Sequence, residues 1–284
     1  MKREDKTLEV RYNDAEARGN LFRLLYESLR EFISYRELLW HWALRDIKVR
    51  YKQTIFGVAW AIIQPFCMMI IFTLIFGKFA KISSDGFPYP VFSYVALVPW
   101  TFFSHSVNTG SMGLVSNISL VTKAYFPKEI LVLAPTLAYL IDFAIAETIF
   151  IGLALYFHVD FHATIFWLPV LVFLQLFFTW AVGLFLATLN VFYRDVKYAL
   201  SLLMQIWMYA TPIVYPLSQV PANLRNFYLL NPMAGIINGY RQIFLQGQSP
   251  GGMSFLLTTG GVFLLFIVAY LFFKRLELKF ADII

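Results

Sequence analysis

The sequence Glu37–Pro65, ELLWHWALRDIKVRYKQTIFGVAWAIIQP, joins a charged N-terminal arm to the first long apolar run of the chain. Helical spacing gives the first half of this stretch two different faces. The apolar face carries Trp40, Leu44, Ile47 and Tyr51. The basic face carries His41, Arg45, Lys48 and Lys52. Because basic amphipathic helices with aromatic residues are typical of the membrane interface, we predict an interfacial helix over 37–57.

The composition indicates an integral membrane protein. The chain is 59% hydrophobic and only 14% charged, with a mean hydropathy of +0.65, whereas a soluble domain carries about 25% charged residues. The net charge of +6 does not indicate nucleic-acid binding, because the basic residues stand beside apolar runs rather than in one soluble patch. Residues 1–36 contain no continuous apolar core, so we expect the first span to act as an uncleaved targeting signal.

Six apolar runs predict an all-α fold of six transmembrane helices, since a helix needs about 20 apolar residues to cross the bilayer core. The predicted spans are 58–76, 91–113, 130–157, 165–190, 198–215 and 255–273. The segment 216–252 combines four prolines with apolar stretches, which favours short external re-entrant or interfacial helices. The predicted domains are an arm (1–36), the interfacial helix (37–57), the transmembrane domain (58–273) and a tail (274–284).

The distribution of basic residues predicts the topology. With both termini in the cytoplasm, the external segments contain only Lys78, Lys81, Arg225 and Arg241. All other Lys and Arg residues then lie on the cytoplasmic side, as the positive-inside rule requires. We therefore expect a multi-pass membrane protein with both termini in the cytoplasm.

Acidic residues inside the predicted spans are the first candidates for chemistry. Asp142 and Glu147 both lie within the third span, where a carboxylate is costly and therefore a candidate functional group. Their spacing places them on different faces of a helix, and the other span cores contain no basic residue to pair with them. We favour a packing role for both, with a proton or cation site as the alternative.

The other chemical patterns are weaker. The chain contains no G-x-x-x-x-G-K-[ST] pattern, so ATP-driven transport would require hydrolysis on another subunit. His158-x-Asp160-x-His162 has metal-ligating residue types, but three residues of an exposed loop do not make a structural zinc site, and we predict no metal.

Aromatic residues near the span ends have two interpretations. Most are expected to anchor the helices at the membrane interface. The alternative is a path along which sugar rings stack on aromatic faces, with the candidates Tyr94, Trp100, Phe103, Trp207 and Tyr209.

Several motifs resemble those of one known family. The pattern Arg45-Asp46-x-Lys48-x-Arg50-Tyr51-Lys52-Gln53-Thr54-x-x-Gly57-x-x-Trp60 is similar to the N-terminal signature of permease subunits of ABC-2 type polysaccharide exporters. That family moves O-antigen, capsular or teichoic acid polymers. Further similar elements follow in the same order: KAYFPKEIL at 123–131, Asp142-Phe143, YRDV at 193–196, and Asn231-Pro232-Met233 with Gly239-Tyr240-Arg241.

The resemblance implies a homodimer that works with two ATP-binding cassette subunits and a lipid-linked glycan. It implies no cofactor on this chain, with ATP and Mg on the partner subunit. It also implies that certain residues couple the permease to the ATPase: Arg45, Asp46, Lys48, Arg50, Tyr51, Lys52, Lys123, Phe126, Pro127, Lys128, Arg194 and Asp195. Arg45 and Arg50 would donate charge-assisted hydrogen bonds to acidic groups of that partner.

The sequence is also compatible with other functions. The nearest is an ABC-2 permease for drug or lipid efflux. A secondary transporter would use Asp142 or Glu147 as a proton site. A membrane-embedded glycan-processing enzyme would require a cluster of acids or arginines in an external loop, for which Asp85, Asp160, Arg225 and Arg241 offer sparse support.

Overall fold

The computed structural model describes residues 30–52, 54–221, 223, 228 and 230–283, and the regular secondary structure of this part of the chain is helical. The sequence LFRLLYESLREF at 21–32 has an amphipathic pattern that predicts a helix. It lies outside the described residues except for residues 30–32, which are helical. The α-helices are named α1 Arg36–Tyr51, α2 Trp60–Phe72, α3 Tyr89–Ser111, α4 Ile118–Lys123, α5 Glu129–Tyr156, α6 Leu168–Phe192, α7 Val196–Ala210, α8 Pro232–Arg241 and α9 Gly252–Ile283.

Four helical segments of the described chain are long and apolar enough to cross a membrane. They are Gly57–Phe79, Glu129–Tyr156, Ala163–Phe192 and Gly252–Ile283. These segments coincide with the first, third, fourth and sixth predicted spans. Helix α3 coincides with the second, but its Ser, His, Asn and Thr side chains make it more polar, and α7 has only 15 residues. The six-span count therefore stays a prediction.

Helix α3 lies at the centre of the bundle and packs against α5, α6 and α8. It contributes to the first apolar cluster, whose largest fully buried side chains include Tyr94, Phe92, Phe103, Phe150, Phe178 and Tyr240. A second apolar cluster joins α1, α4, α5, α6 and the end of α9. It includes Leu39, Phe126, Ile130, Leu184, Phe273 and Phe280. Because lipid tails are as apolar as these side chains, close packing and hydrogen bonds hold such helices together.

Two glycines at the end of α3 allow this helix to approach α5 closely. A Cβ atom added at Gly110 would lie 2.8 Å from the carbonyl oxygen of Val132, and one at Gly113 would lie 2.3 Å from that of Leu131. Ser106, one turn before Gly110, is buried as well. Ser106 and Gly110 form a small-xxx-small pair, a sequence pattern that predicts close helix approach, and the contact with α5 confirms it.

The proline-containing segment after α7 includes the short, buried helix α8. Asn231 caps this helix by accepting a hydrogen bond from the Met233 backbone N–H at 3.2 Å, and Pro232 occupies the first turn, where no N–H is needed. A π-helical turn, Gln242–Gln246, extends the helix to Gly247, whose φ of +64° is left-handed. Helix α8 packs against α3, α6 and α9. Its re-entrant placement in a membrane stays a prediction.

Candidate functional site

Helix α1 presents the predicted basic face to the outside. His41, Arg45, Lys48 and Lys52 are all exposed. The guanidinium carbon of Arg45 lies 3.6 Å from the ring centroid of Trp42, and its Nη2 donates to Asp46 Oδ1 at 2.8 Å. Within the basic face, Arg45 is thus held by contacts with Trp42 and Asp46 of the same helix. Its role in contacting an ATPase stays a prediction.

The predicted apolar stripe of α1 lies beside its buried face. Leu39 and Ala43 are buried, whereas Trp40 of the stripe is 53% exposed. Leu44, Ile47 and Tyr51 are half-buried, as expected at the edges of the packed face. The buried face packs along α5.

At its end, α1 brings a cation to an acid within α5. Arg50 forms an ion pair with Asp142, and its guanidinium carbon lies 3.5 Å from the ring centroid of Tyr139. The Tyr51 hydroxyl donates to the other carboxylate oxygen of Asp142. Arg50, Tyr51, Tyr139 and Asp142 are named the Asp142 site. The sequence offered no partner for Asp142, because Arg50 lies outside the predicted spans.

The Asp142 site is largely shielded from solvent. The side chains of Arg50 and Asp142 are 22% and 14% exposed. Burial, with the hydrogen bond and negative charge of Asp142, raises the pKa of Tyr51 to about 12. The phenol therefore remains a hydrogen-bond donor at neutral pH. Two donors on one helix thus fix the carboxylate of another, which joins α1 firmly to α5.

A polar cavity of about 240 Å³ borders the Asp142 site. Gln64 from α2 and His105 from α3 face each other there, with Nε2 atoms 3.3 Å apart. Trp60 and Pro65 of α2 also line this cavity. Helices α1, α2, α3 and α5 therefore meet around polar groups. A displacement of α1 would act on all four helices together.

Glu147 does not belong to this arrangement. It lies in α5 five residues beyond Asp142 and is half-buried. Among the described residues, Glu147 has no hydrogen bond or ion pair. The two acids thus have separate surroundings, as their spacing predicted.

A second ion cluster lies where α5 begins. The Lys274 Nζ from α9 lies 2.9 Å from the Glu129 carboxylate and 2.9 Å from Glu277 Oε2. Glu129 and Lys274 are 0% and 7% exposed, so both charges are buried and compensated. The Tyr270 hydroxyl also donates to Glu129, at 3.2 Å. Glu129, Tyr270, Lys274 and Glu277 are named the Lys274 cluster.

The Lys274 cluster fixes the loop that precedes α5. Glu277 Oε1 accepts a hydrogen bond from the Lys128 backbone N–H at 3.2 Å. Within this loop, Phe126 and Pro127 are buried and Lys123 is exposed. Arg194 and Asp195, between α6 and α7, are exposed too. Helix α9 reaches Ile283, ten residues past the predicted span, and packs its Phe280 into the second apolar cluster.

The aromatic candidates divide into buried and exposed residues. Tyr94 and Phe103 are fully buried, and Trp100 is 5% exposed. The Trp207 indole N–H donates to Asn231 Oδ1 at 3.1 Å, and its ring meets that of Phe103 edge-on. Tyr209 is 52% exposed. Burial gives Tyr94, Trp100 and Phe103 packing roles within one chain, while Tyr209 has a free face.

The HxDxH loop does not assemble a cluster. Among the described residues, no three His, Cys, Asp or Glu side chains come together as metal ligands would. His158 has a left-handed φ of 54°, and His162 lies against Gly247. The site is therefore built from ion pairs, cavities and a basic face.

Comparison with known proteins identifies the family. The sequence model of the ABC-2 type transporter family matches residues 37–245, from the basic helix to the turn after α8. The chain belongs to the ABC-2 type transporter family. This match contains the Asp142 site and most of the first apolar cluster, and α9 follows it.

Named relatives cover nearly the same length. The chain is 32% identical over 259 residues to the O-antigen export system permease protein RfbA of Myxococcus xanthus, covering 89% of this chain and 98% of the relative. It is 29% identical to the RfbA of Klebsiella pneumoniae, over 84% of this chain and 92% of the relative. The polysialic acid transport protein KpsM of Escherichia coli is 25% identical, over 74% and 82% of the two chains.

Proposed function

We propose that this chain is the permease subunit of an ATP-driven exporter of a cell-surface polysaccharide such as O-antigen. The observation that carries the proposal is the similarity to O-antigen export permeases along nearly the whole chain. The more distant similarity to a polysialic acid transport protein supports a polysaccharide in general. The lipid-linked form of the glycan is part of the proposal.

The proposed assembly is a homodimer with two ATP-binding subunits, which bind ATP and Mg. Six spans, with both termini in the cytoplasm of a bacterium, would place the basic face of α1 and the loop at Lys123–Lys128 on the ATPase side. This arrangement is supported by the second apolar cluster, since it joins α1, the loop and the end of α9 into one packed unit. A force applied to that unit would reach α5 through Arg50 and Asp142.

The coupling residues fall into two groups under this proposal. Exposed residues contact the ATPase directly: Arg45, Lys48, Lys52, Lys123, Arg194 and Asp195. Buried or half-buried residues transmit the movement inside the permease: Asp46, Arg50, Tyr51, Phe126, Pro127 and Lys128. Tyr209 is the aromatic candidate with a free face for the polymer.

The contacts of Asp142 disfavour a proton-coupled mechanism in which this residue carries the proton. A proton carrier must release and rebind its proton during transport. Both carboxylate oxygens of Asp142 are instead occupied, one by the guanidinium of Arg50 and the other by the hydroxyl of Tyr51. A structural latch between α1 and α5 fits this geometry better.

The test is purification of the tagged chain from its native membrane in a mild detergent, followed by identification of bound proteins and an ATPase assay. We expect an ATP-binding subunit to co-purify with ATP hydrolysis. A chain that purifies alone under several gentle conditions would contradict the proposed assembly. Deletion of the gene should then abolish surface polysaccharide, and intact surface polysaccharide would contradict the proposed substrate.

A further inference from the structure

A second polar cavity lies on the side of the bundle where α8 ends. Its volume is about 190 Å³, and it is formed by the loop before α3, residues 216–218, and α8 with its π-helical turn. Its polar lining residues are Asp85, Ser218, Asn238, Arg241 and Gln246. It is named the Arg241 cavity. It shares no lining residue with the cavity at the Asp142 site.

Arg241 is a buried cation with an incomplete set of partners. It is 4% exposed and forms no ion pair within the described part of the chain. Its Nη1 donates to the Pro212 carbonyl at 2.6 Å, and its Nη2 donates to the Ile213 carbonyl at 2.7 Å. Its guanidinium carbon lies 3.7 Å from the Phe92 ring centroid. The carbonyls after α7 and the aromatic face thus stabilise the charge.

One donor of Arg241 is left over. The Nε–H is buried and has no hydrogen-bond partner among the described residues. An unpaired buried donor costs about 1–3 kcal/mol, so it requires an explanation. Asn238 and Gln246 line the same cavity, and neither side chain makes a hydrogen bond within the described chain. The side-chain amides of Asn238 and Gln246 are therefore available to a ligand in the cavity.

The opposite wall supplies an acceptor with a negative charge. Asp85 lies in a tight turn with a left-handed φ of 53°, followed by Gly86 at 87°. The Ser218 hydroxyl donates to Asp85 Oδ1 at 2.7 Å, which ties the turn to the segment after α7. Asp85 attracts Arg241 electrostatically, although the two do not form an ion pair.

These groups select a class of ligand. An anion would be repelled by Asp85, and a cation would be repelled by Arg241. A neutral molecule with several hydroxyl groups can bond to both sides of the cavity. Each hydroxyl can donate to the Asp85 carboxylate or accept from N–H groups on the opposite side. Apolar contacts for C–H surfaces come from Phe87, Pro216 and Leu217.

The volume limits the size of the ligand. At about 30 Å³ for each molecule of liquid water, the cavity corresponds to about six waters. Sites for drug-sized molecules have volumes of about 300–1,000 Å³. One sugar ring is therefore suitable, and an oligosaccharide is too large.

We propose that the Arg241 cavity binds a single neutral pyranose unit. The identification of this unit as part of the exported polymer rests on the proposed function. Asp85 accepts hydrogen bonds from the sugar hydroxyls, while the side-chain amides of Asn238 and Gln246 donate to them. The cavity then holds the glycan on the side of the molecule away from the second apolar cluster.

The test measures sugar binding to the purified chain in lipid nanodiscs by saturation-transfer NMR. The probes are the methyl glycosides of glucose, galactose, mannose, rhamnose and N-acetylglucosamine, with methyl glucuronide as a charged counterpart. We expect saturable binding of at least one neutral glycoside, and weaker binding of the glucuronide than of methyl glucoside.

Matched variants connect the binding to the cavity. Gln246→Ala and Asp85→Asn should weaken binding of the neutral glycoside at least about fivefold, since each removes a direct hydrogen bond. Gln248→Ala and Asp160→Asn are controls at exposed positions that do not line the cavity. Unchanged elution and melting temperature will show that each variant is folded.

Two results would overturn the proposal: no saturable binding of any neutral glycoside, or equal binding by the folded cavity variants and the wild type. Because this assay requires no ATPase, its failure leaves the co-purification and surface-polysaccharide tests intact. Conversely, sugar binding in a chain that exports no polysaccharide would contradict the proposed function alone.

Discussion

The two apolar clusters hold their buried polar groups in different ways. Beside the second cluster, the Lys274 ammonium lies between the carboxylates of Glu129 and Glu277. In the first cluster, apart from the Arg50–Asp142 ion pair at its edge, the bonds are made by neutral side chains. Gln175 Nε2 donates to the Pro99 carbonyl at 2.7 Å, and the Tyr240 hydroxyl donates to Gln175 Oε1 at 2.8 Å. Arg241, at the edge of this cluster, also bonds to carbonyls rather than to an acid.

This difference separates the part of the molecule around the Lys274 cluster, which is held by ion pairs, from the core of the first cluster, which is held by neutral hydrogen bonds. Loss of one partner from a buried ion pair leaves an uncompensated charge, whereas loss of one neutral bond leaves one unpaired atom. The charged part also contains the elements that we propose to lie against the ATPase. Substitutions should therefore affect the two parts by different amounts.

The largest effect is expected for Lys274→Met. This change removes the only cation of the Lys274 cluster and leaves Glu129 buried beside Glu277, so it should destabilise the chain by about 3–5 kcal/mol. Thermal unfolding in nanodiscs and the yield of monodisperse protein will measure the loss. Lys279→Met, at an exposed position of the same helix, is the control. Equal stability of the two variants would show that the cluster is not a structural centre.

The next effect is expected for Arg50→Glu, which places a second carboxylate beside Asp142. We expect export to fall at least about tenfold, or about 1.4 kcal/mol, while the ATPase activity of the complex persists. Surface polysaccharide and ATP hydrolysis are measured in parallel, with Lys78→Glu at an exposed position as the control.

The double variant Arg50→Glu with Asp142→Arg restores an ion pair in reversed order. Partial recovery of export would sharpen the assignment of Arg50 and Asp142 as a link between α1 and α5. Wild-type export by the single variant Arg50→Glu would exclude that role.

A comparable effect, on stability alone, is expected where the two clusters meet. Gly110→Ala should destabilise the chain by about 1–3 kcal/mol, because the new Cβ would collide with the Val132 carbonyl at 2.8 Å. Gly152→Ala, also in a helix, has no heavy atom within 4 Å of its new Cβ and should stabilise the chain by about 0.5–1 kcal/mol. We expect the melting temperature to fall for Gly110→Ala and to rise for Gly152→Ala. A shift in the same direction for both would refute the close approach of α3 and α5.

The smallest effect is expected in the first cluster. Tyr240→Phe removes one neutral hydrogen bond to Gln175 and should cost about 1 kcal/mol, clearly less than Lys274→Met. Tyr156→Phe is the control, since Tyr156 is 76% exposed at the end of α5. If Tyr240→Phe destabilised the chain as much as Lys274→Met, the distinction between the two parts would fail.

The helices were predictable because apolar runs and proline-rich breaks are local signals. The length of α9 was missed, since its last ten residues mix five charged residues with five apolar ones and so do not continue the apolar run. Packing of residues such as Phe280 makes them part of the bundle. The sequence does not show which face of α1 packs inside the protein, because the buried positions 39 and 43 have the same helical spacing as positions 40 and 44 of the predicted stripe.

The candidate site was predictable only in its exposed part. The basic face of α1 is a pattern within one helix, and the sequence gives it directly. Arg50 and Asp142 are 92 residues apart, and Glu129 and Lys274 are 145 residues apart. Such pairs depend on tertiary packing, so no local pattern shows them. The family motifs marked Arg50 and Asp142 separately, and only the fold joins them.

The most direct test of the central claim is depletion of this chain in its native cell, with surface polysaccharide and intracellular lipid-linked glycan measured together. If the chain is the export permease, we expect surface polymer to disappear and lipid-linked glycan to accumulate inside the cell. The wild-type gene should restore export, and the Arg50→Glu gene should not. Normal surface polymer after complete depletion would contradict the assignment of this chain as a polysaccharide export permease.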